Sequence, residues 1–286
     1  MTVDSKLFIT LTPGDTFLDK LTGKTKVRLF FLTIFILTAT WDIRILVPAL
    51  VISLICLISI KPDFKKNLGI TIFVILMNLF NLFLTWIISP DYGLEMVGGS
   101  TVLFKFTDFY IVTLESLWYF LARFTKFMAS FFFSLTFIQS VTPSELSAGL
   151  HSIKVPYKVC TIVALAFRYI PDITRDFTNI KISMQTRGLE LDSKRTSIFK
   201  RLKQYILILI PLVITSFDRV GNIANAMDLR GFGKKKDRTY YSEHEDTPAD
   251  KKLAILVIVL ALCLVALIVK NTFFKPQFEV WAPWIK

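Results

Sequence analysis

Apolar residues in this chain fall in long runs separated by short polar breaks, not at the alternating spacings of half-buried strands. The first run extends from Val27 to Ile60 and is broken only by Trp41-Asp42-Ile43-Arg44. As one helix it would be roughly 51 Å long, against a hydrocarbon core of about 30 Å. The pattern therefore predicts a helical hairpin that turns at Asp42–Arg44, with Pro48 kinking its second arm. Lys61-Pro62-Asp63-Phe64-Lys65-Lys66 reads as the next turn, Leu68 to Ser89 as a third span stopped by Pro90, Glu115 to Ile138 as a fourth, and Leu253 to Val269 as a fifth. Between the third and fourth, Val102–Phe106 and Phe109–Val112 flank Thr107-Asp108 in the manner of a short β-hairpin. Trp281 and Trp284 in the tail suit a membrane interface.

Between spans four and five, the stretch from Thr142 to Lys252 reads as helices of a different kind. Thr142-Pro143-Ser144-Glu145 is a capping box with Pro143 at the first helical position, and Pro156 bounds the short amphipathic helix it starts. A second helix is predicted from about Tyr157 to Arg187, with Ile162, Ala166, Ile173, Phe177, Ile180 and Met184 at mostly helical spacing and Pro171 as a kink. A third is predicted from about Ser197 to Arg230, so apolar from Tyr205 to Phe217 that a sixth span stays open. Gly231 to Asp250 reads as a linker. The expected fold class is an all-α integral membrane protein with about five transmembrane helices and a cytoplasmic domain of amphipathic helices. Its expected parts are residues 1–141 (N-terminal region and four spans), 142–252 (cytoplasmic helices and basic linker) and 253–286 (last span and tail).

Composition narrows the class further. Of 286 residues 53% are hydrophobic and 20% charged, with 27 Phe and only 11 Gly, and the mean hydropathy is +0.55. This excludes a soluble enzyme, a coiled coil, a disulfide scaffold and a disordered chain. The formal net charge is +12, which in a membrane chain reads first as the positive-inside rule. Residues 142–252 hold 19 Lys and Arg against 12 Asp and Glu, and Lys20, Lys24, Lys26 and Arg28 precede the first span. Both regions are therefore expected in the cytoplasm, with the N-terminus inside and the C-terminus outside. Residues 1–26 carry no apolar run, so no signal peptide is expected. Cys56, Cys160 and Cys263 lie about a hundred residues apart and form neither a disulfide framework nor a metal site.

Catalytic groupings do not emerge. His151 and His244 have no neighbours in sequence that would complete a triad or a metal site. Gly23-Lys24-Thr25 resembles the end of a P-loop, but the loop's first glycine would fall at Leu18 and no buried strand precedes it. Arg123 and Lys126 sit within span four, where a cation either snorkels to the interface or serves as a buried pair or partner contact. Lys234–Arg238 reads as a membrane-proximal basic patch, with no aromatic platform for nucleic acid.

The sharpest signal is an internal repeat at a separation of 43 residues. Asn179-Ile180, Met184 and Arg187-Gly188-Leu189 recur as Asn222-Ile223, Met227 and Arg230-Gly231-Phe232. In each copy Gly suits a left-handed C-cap, Arg suits the negative end of the helix dipole, and Met three residues earlier shares the Arg face. One copy is ordinary helix punctuation. Two matching copies suggest docking to two equivalent partner surfaces, each with an acidic pocket, and two copies are too few for a helical solenoid.

These residues also carry a family resemblance. Thr142-Pro143-x-x-Leu146 through Val155-Pro156, the block Ala166-Phe167-Arg168-Tyr169-Ile170-Pro171, and the short motifs Thr186-Arg187-Gly188 and Leu229-Arg230-Gly231 resemble the transmembrane T component of energy-coupling factor (ECF) type ABC transporters, a family that includes the cobalt-transport permease. Where that family often has Ala before the motif Arg, this chain has Thr186 and Leu229. The resemblance is strong from about 114 to 233 and topological elsewhere. It implies a non-catalytic coupling subunit in a bacterial-type cell membrane, with two long coupling helices shaped by Pro143, Pro156, Arg168 and Pro171. It implies that Arg187 and Arg230 dock into two cytosolic ATPase subunits, a homo- or heterodimer, with Met184, Met227, Thr186, Leu229, Gly188 and Gly231 around them. ATP and Mg would be bound by those partners, not by this chain. The other implied partners are one substrate-binding S component, for a vitamin or metal ion, and the lipid bilayer, but no nucleic acid. Two other classes compete. A self-contained secondary carrier predicts inverted membrane repeats, whereas this repeat lies in the expected cytoplasmic part. A lipid-acting membrane enzyme predicts convergent acid, base or metal ligands.

Overall fold

The hairpin break falls where the polar residues place it. Helix α1 (Gly23–Ala39) ends before Thr40, and Asp42 is the N-cap of α2 (Ile43–Ser59), which continues through Pro48. These observations come from a computed structural model that describes residues 21–60, 64–99, 101–105, 111–189, 198–234, 248–273 and 280–283. Lys20, the turn residues 61–63, Thr107-Asp108, the basic cluster beyond Lys234, His244 and Trp284 lie outside the described residues. The remaining elements are α3 (Phe64–Ile88), α4 (Tyr92–Val97), strands β1 (Val102–Lys105) and β2 (Ile111–Thr113), α5 (Leu114–Ser140), α6 (Pro143–Ser152), α7 (Tyr157–Thr186), α8 (Ile198–Leu229) and α9 (Pro248–Phe273). The chain is an all-α membrane protein with one small antiparallel hairpin, in which Phe104 faces Val112 and Lys105 faces Ile111.

Helix α5 is the hub of the bundle. It packs against α1, α2, α3 and α4, and it buries Ser116, Ala122, Ala129 and Ser140 among larger residues such as Tyr119, Met128 and Leu135. Small residues on this face let helices approach closely where lipid offers no hydrophobic drive for helix pairing. The two arms of the hairpin meet α5 near the turn, where Leu37, Leu46 and Ala129 form one buried cluster. From there they diverge: α2 lies along α5, while α1 also packs against α6 and α9.

Four helices contain stretches long and apolar enough to cross a membrane: Asn67–Ile88, Leu114–Ser140, Leu202–Leu229 and Asp250–Lys270. Three coincide with expected spans. The fourth lies in α8, so the stretch left open as a sixth span meets the criteria of length and composition. The two hairpin arms are 17 residues each, about 26 Å, a little short of the ~30 Å core.

Both ends of the bundle are closed by contacts distant in sequence. At the basal end, where α1 and α9 begin, the Thr22 amide and hydroxyl both donate to Asp250 Oδ1 at 3.0 Å. At the opposite, distal end, Lys270 Nζ is 3.9 Å from Asp42 Oδ2. Helices α1 and α9 therefore run parallel, and α9 starts earlier than the apolar run alone indicates. The distal end is capped by Val97, Tyr119, Ala122, Val280 and Ala282, with Trp41, Tyr92 and Trp118 around them. Trp118 Nε1 donates to the Trp281 carbonyl (2.8 Å), and the Arg44 guanidinium lies 3.3 Å over the Trp281 ring.

Candidate functional site

The repeat residues are the ends of α7 and α8, and the two ends are built alike. In α7 the Leu189 amide donates to the Met184 carbonyl (3.0 Å) and the Gly188 amide to the Gln185 carbonyl (3.0 Å). In α8 the Phe232 amide donates to the Met227 carbonyl (2.9 Å) and the Gly231 amide to the Asp228 carbonyl (2.9 Å). These are two Schellman caps, with Gly188 and Gly231 at positive φ of 91° and 67°. The cap accounts for much of the repeat: a glycine in the left-handed position, an apolar residue after it, and Met where that apolar residue folds back. Met184, Leu189, Met227 and Phe232 are all half-buried.

What the cap does not require is arginine at the residue before the glycine. Arg187 and Arg230 stand there in both copies, and both are exposed. Thr186 and Leu229 beside them are exposed too, Leu229 to 90%. Each end thus presents a guanidinium with an exposed neighbour and a half-buried methionine. Around Tyr157, at the start of α7, the Phe232 ring packs at 5.7 Å between centroids, so the end of α8 lies against the beginning of α7. The two arginine ends therefore sit at opposite ends of an antiparallel pair.

The segment leading into α7 is anchored to the bundle. In α6 the Thr142 hydroxyl accepts from the Glu145 amide, the Glu145 carboxylate accepts from the Thr142 amide (3.0 Å), and Pro143 occupies the first turn. Glu145 Oε2 also takes Lys26 Nζ of α1 at 3.0 Å, and the same Nζ donates to the Ser140 carbonyl at 2.8 Å. Two glycines make this approach possible: a Cβ on Gly23 would overlap the Glu145 backbone, and one on Gly149 would overlap Val27 and the Gly23 carbonyl. Arg28 donates to the Ser152 carbonyl at the end of α6 (3.0 Å), where a cation suits the helix dipole. Pro156 is the N-cap of α7, α7 continues as helix through Pro171, and Arg168 is exposed.

Sequence reasoning saw the capping box but not the Lys26–Glu145 pair, and it passed over an ion pair between Arg219 of α8 and Asp176 of α7. The signal for the second was available, because these residues are themselves 43 apart. Two cations of α5 reach uncharged groups of neighbouring helices and turns. Arg123 donates to Thr85 Oγ1 (3.1 Å) and Asn81 Oδ1 (3.0 Å) of α3, and Lys126 donates to the Thr38 carbonyl (2.8 Å) and lies 3.9 Å over the Trp41 ring. His151 packs edge-on against Tyr157. Among the described residues no group of three or more His, Cys, Asp and Glu is placed to hold a metal ion.

Comparison with known proteins places this geometry in context. A family model described as cobalt transport protein matches residues 14–241. The energy-coupling factor transporter transmembrane protein EcfT of Streptococcus equi subsp. equi is 28% identical over 272 residues, covering 89% of this chain and 94% of the relative. Its counterpart in Lactococcus lactis subsp. cremoris is 25% identical over 268 residues, covering 88% and 94%. That of Limosilactobacillus fermentum is 33% identical over 124 residues, covering 43% and 46%.

Proposed function

The chain belongs to the cobalt transport protein family, and from that membership we propose that it is the transmembrane coupling component of an ECF-type importer. In this reading it catalyses nothing itself. Two cytosolic ATPase subunits bind and hydrolyse ATP with Mg, one S component binds a vitamin or metal ion as cargo, and this chain joins them in the membrane. Residues 142–252 face the cytoplasm, as the charge distribution favours.

The observation that carries the proposal is the pair of like-built helix ends. Both copies keep an exposed Arg that the cap does not need. Arg187 and Arg230 pair with acidic grooves of two similar partners, Met184 and Met227 support them from below, and Gly188 and Gly231 turn the chain out of the way. Thr186 and Leu229 are the neighbouring contact residues. Closure of the ATPases then moves two ends of one antiparallel helix pair. Helix α6 transmits that motion, since Lys26, Glu145 and the two close glycines tie it to α1. The exposed apolar faces of the membrane helices offer room for the S component.

The test is copurification in mild detergent from cells expressing this chain with its neighbouring genes. Wild type is expected to bring down two ATPase chains, and the variant with Arg187→Glu and Arg230→Glu none. A desolvated charge pair that loses one partner weakens docking by about 2–5 kcal/mol. Unchanged copurification in the double variant would remove the arginines from the interface. A wild-type chain that transports alone would replace the coupling role with that of a self-contained carrier.

A further inference from the structure

Asp176 and Arg219 occupy equivalent positions of the internal repeat, and they touch each other. The separation of 43 residues that relates Asn179 to Asn222, Met184 to Met227 and Arg187 to Arg230 also relates Asp176 to Arg219. Arg219 Nη2 donates to Asp176 Oδ2, with both side chains about one-third exposed. A contact between the same position of two copies is what a two-fold axis through that position produces, as in an isologous contact. The antiparallel course of α7 and α8 agrees with this. By the same 43-residue shift, Tyr157 and Phe232, which touch at one end, correspond to positions 200 and 189, one on each side of the α7–α8 connection.

A two-fold axis imposes a chemical constraint. Like residues on it would face each other, so two aspartates or two arginines would repel. The repeat departs from itself at this point: α7 reads Arg175-Asp176 and α8 reads Asp218-Arg219. The charge order is reversed where the helices cross, while Asn179 and Asn222, Ile180 and Ile223, Met184 and Met227, Arg187 and Arg230, and Gly188 and Gly231 keep their identity. Arg219 Nη1 is buried with no hydrogen-bond partner among the described residues. The guanidinium therefore relies on Asp176.

We propose that the Asp176–Arg219 pair is the pin of the crossing, lying on a local two-fold axis that holds the two arginine caps at equal distances on opposite sides. Each cap lies 11 residues beyond its axis residue, 176 to 187 and 219 to 230. That is about 16 Å of helix on each side, placing the two arginines roughly 30 Å apart. Equal arms present two like partners with the same contact and move both ends by the same amount. Asp176 and Arg219 are thus positioning residues. Their role in transport rests on the coupling reading above, but their geometric role does not.

The experiment is a spin-label distance measurement on the full chain in lipid nanodiscs. Thr186→Cys and Leu229→Cys carry the labels, in a background with Cys56, Cys160 and Cys263 replaced. The parent is expected to give one narrow distance distribution. Asp176→Arg sets two cations on the axis and is expected to broaden or shift it by several ångström. Asp176→Arg with Arg219→Asp exchanges the charges across the axis and is expected to restore it. An unchanged distribution in Asp176→Arg overturns the pin. So does an exchange variant that fails to restore the distribution or to insert into the membrane, because exchange across a true axis is neutral. ATPase copurification with the unlabelled wild type is scored in parallel. Distances that respond as stated without any copurified ATPase would overturn the coupling reading and leave the pin standing.

Discussion

Lys26 Nζ lies 3.0 Å from Glu145 Oε2, with the two side chains only 4% and 13% exposed. Through this contact the first turn of α1 holds the first turn of α6. The lysine also donates to the Ser140 carbonyl at the end of α5, so one side chain joins three helices where the bundle meets the α7–α8 pair.

Lys26→Met keeps the side chain's length and removes its charge. It leaves the Glu145 carboxylate buried beside an apolar group, and breaking such a pair costs about 3–5 kcal/mol. The midpoint of thermal unfolding in detergent should fall clearly. Adding Glu145→Gln should recover part of the loss, since no buried charge then remains. A midpoint unchanged in the single variant would mean that the pair contributes nothing to stability.

Gly149→Ala places a methyl against Val27 and the Gly23 carbonyl. The second contact is backbone and cannot swing aside, so the α1–α6 approach should open at a cost of roughly 1–3 kcal/mol. Gly221, inside α8, has nothing within 4 Å of a Cβ. Gly221→Ala should therefore stabilise by about 0.4–1 kcal/mol through the unfolded chain. Opposite signs for the two substitutions in one melting assay test the packing of α6 directly.

Gly188→Ala and Gly231→Ala each put an L side chain at positive φ, costing about 1–2 kcal/mol per site. Hydrogen exchange should report it at the Leu189 and Phe232 amides, which close the caps, with faster exchange in the matching variant only. Equal protection in both variants would show that the left-handed turn tolerates a side chain.

Leu229→Ala separates docking from folding. With the side chain 90% exposed, truncation should leave the chain's own stability within about 0.5 kcal/mol. If Leu229 sits in the partner interface, losing more than about 1 kcal/mol there should weaken ATPase copurification several-fold. Undiminished copurification would confine the contact to Arg230 and Met227.

The local elements were legible because their causes are local. The break at Asp42, the capping box at Thr142 and Glu145, the stop at Pro156 and the glycine ends of α7 and α8 each depend on residues within about one helical turn. The repeat was legible for the same reason, since Met, Gly and the following apolar residue are the parts of one cap. The Asp176–Arg219 contact shares the 43-residue offset but joins residues of opposite charge, so likeness between the two copies does not reveal it. A reversed charge pair is invisible to a search for likeness.

From the sequence alone came an all-α membrane chain with about five spans, two long helices ending in the same arginine motif, and the family that carries it. Only the tertiary structure decided that α1 runs parallel to α9, that α6 is clamped to α1 through Lys26 and Gly149, and that α7 and α8 meet at equivalent positions. The reason is physical. In a membrane chain the lipid-facing and helix-facing surfaces are both apolar, so hydrophobic patterning marks where a helix is but not which helix it joins. That choice rests on a few small residues and single polar contacts, more than a hundred residues apart at α6 and more than two hundred at α9, which become neighbours only when the chain is packed.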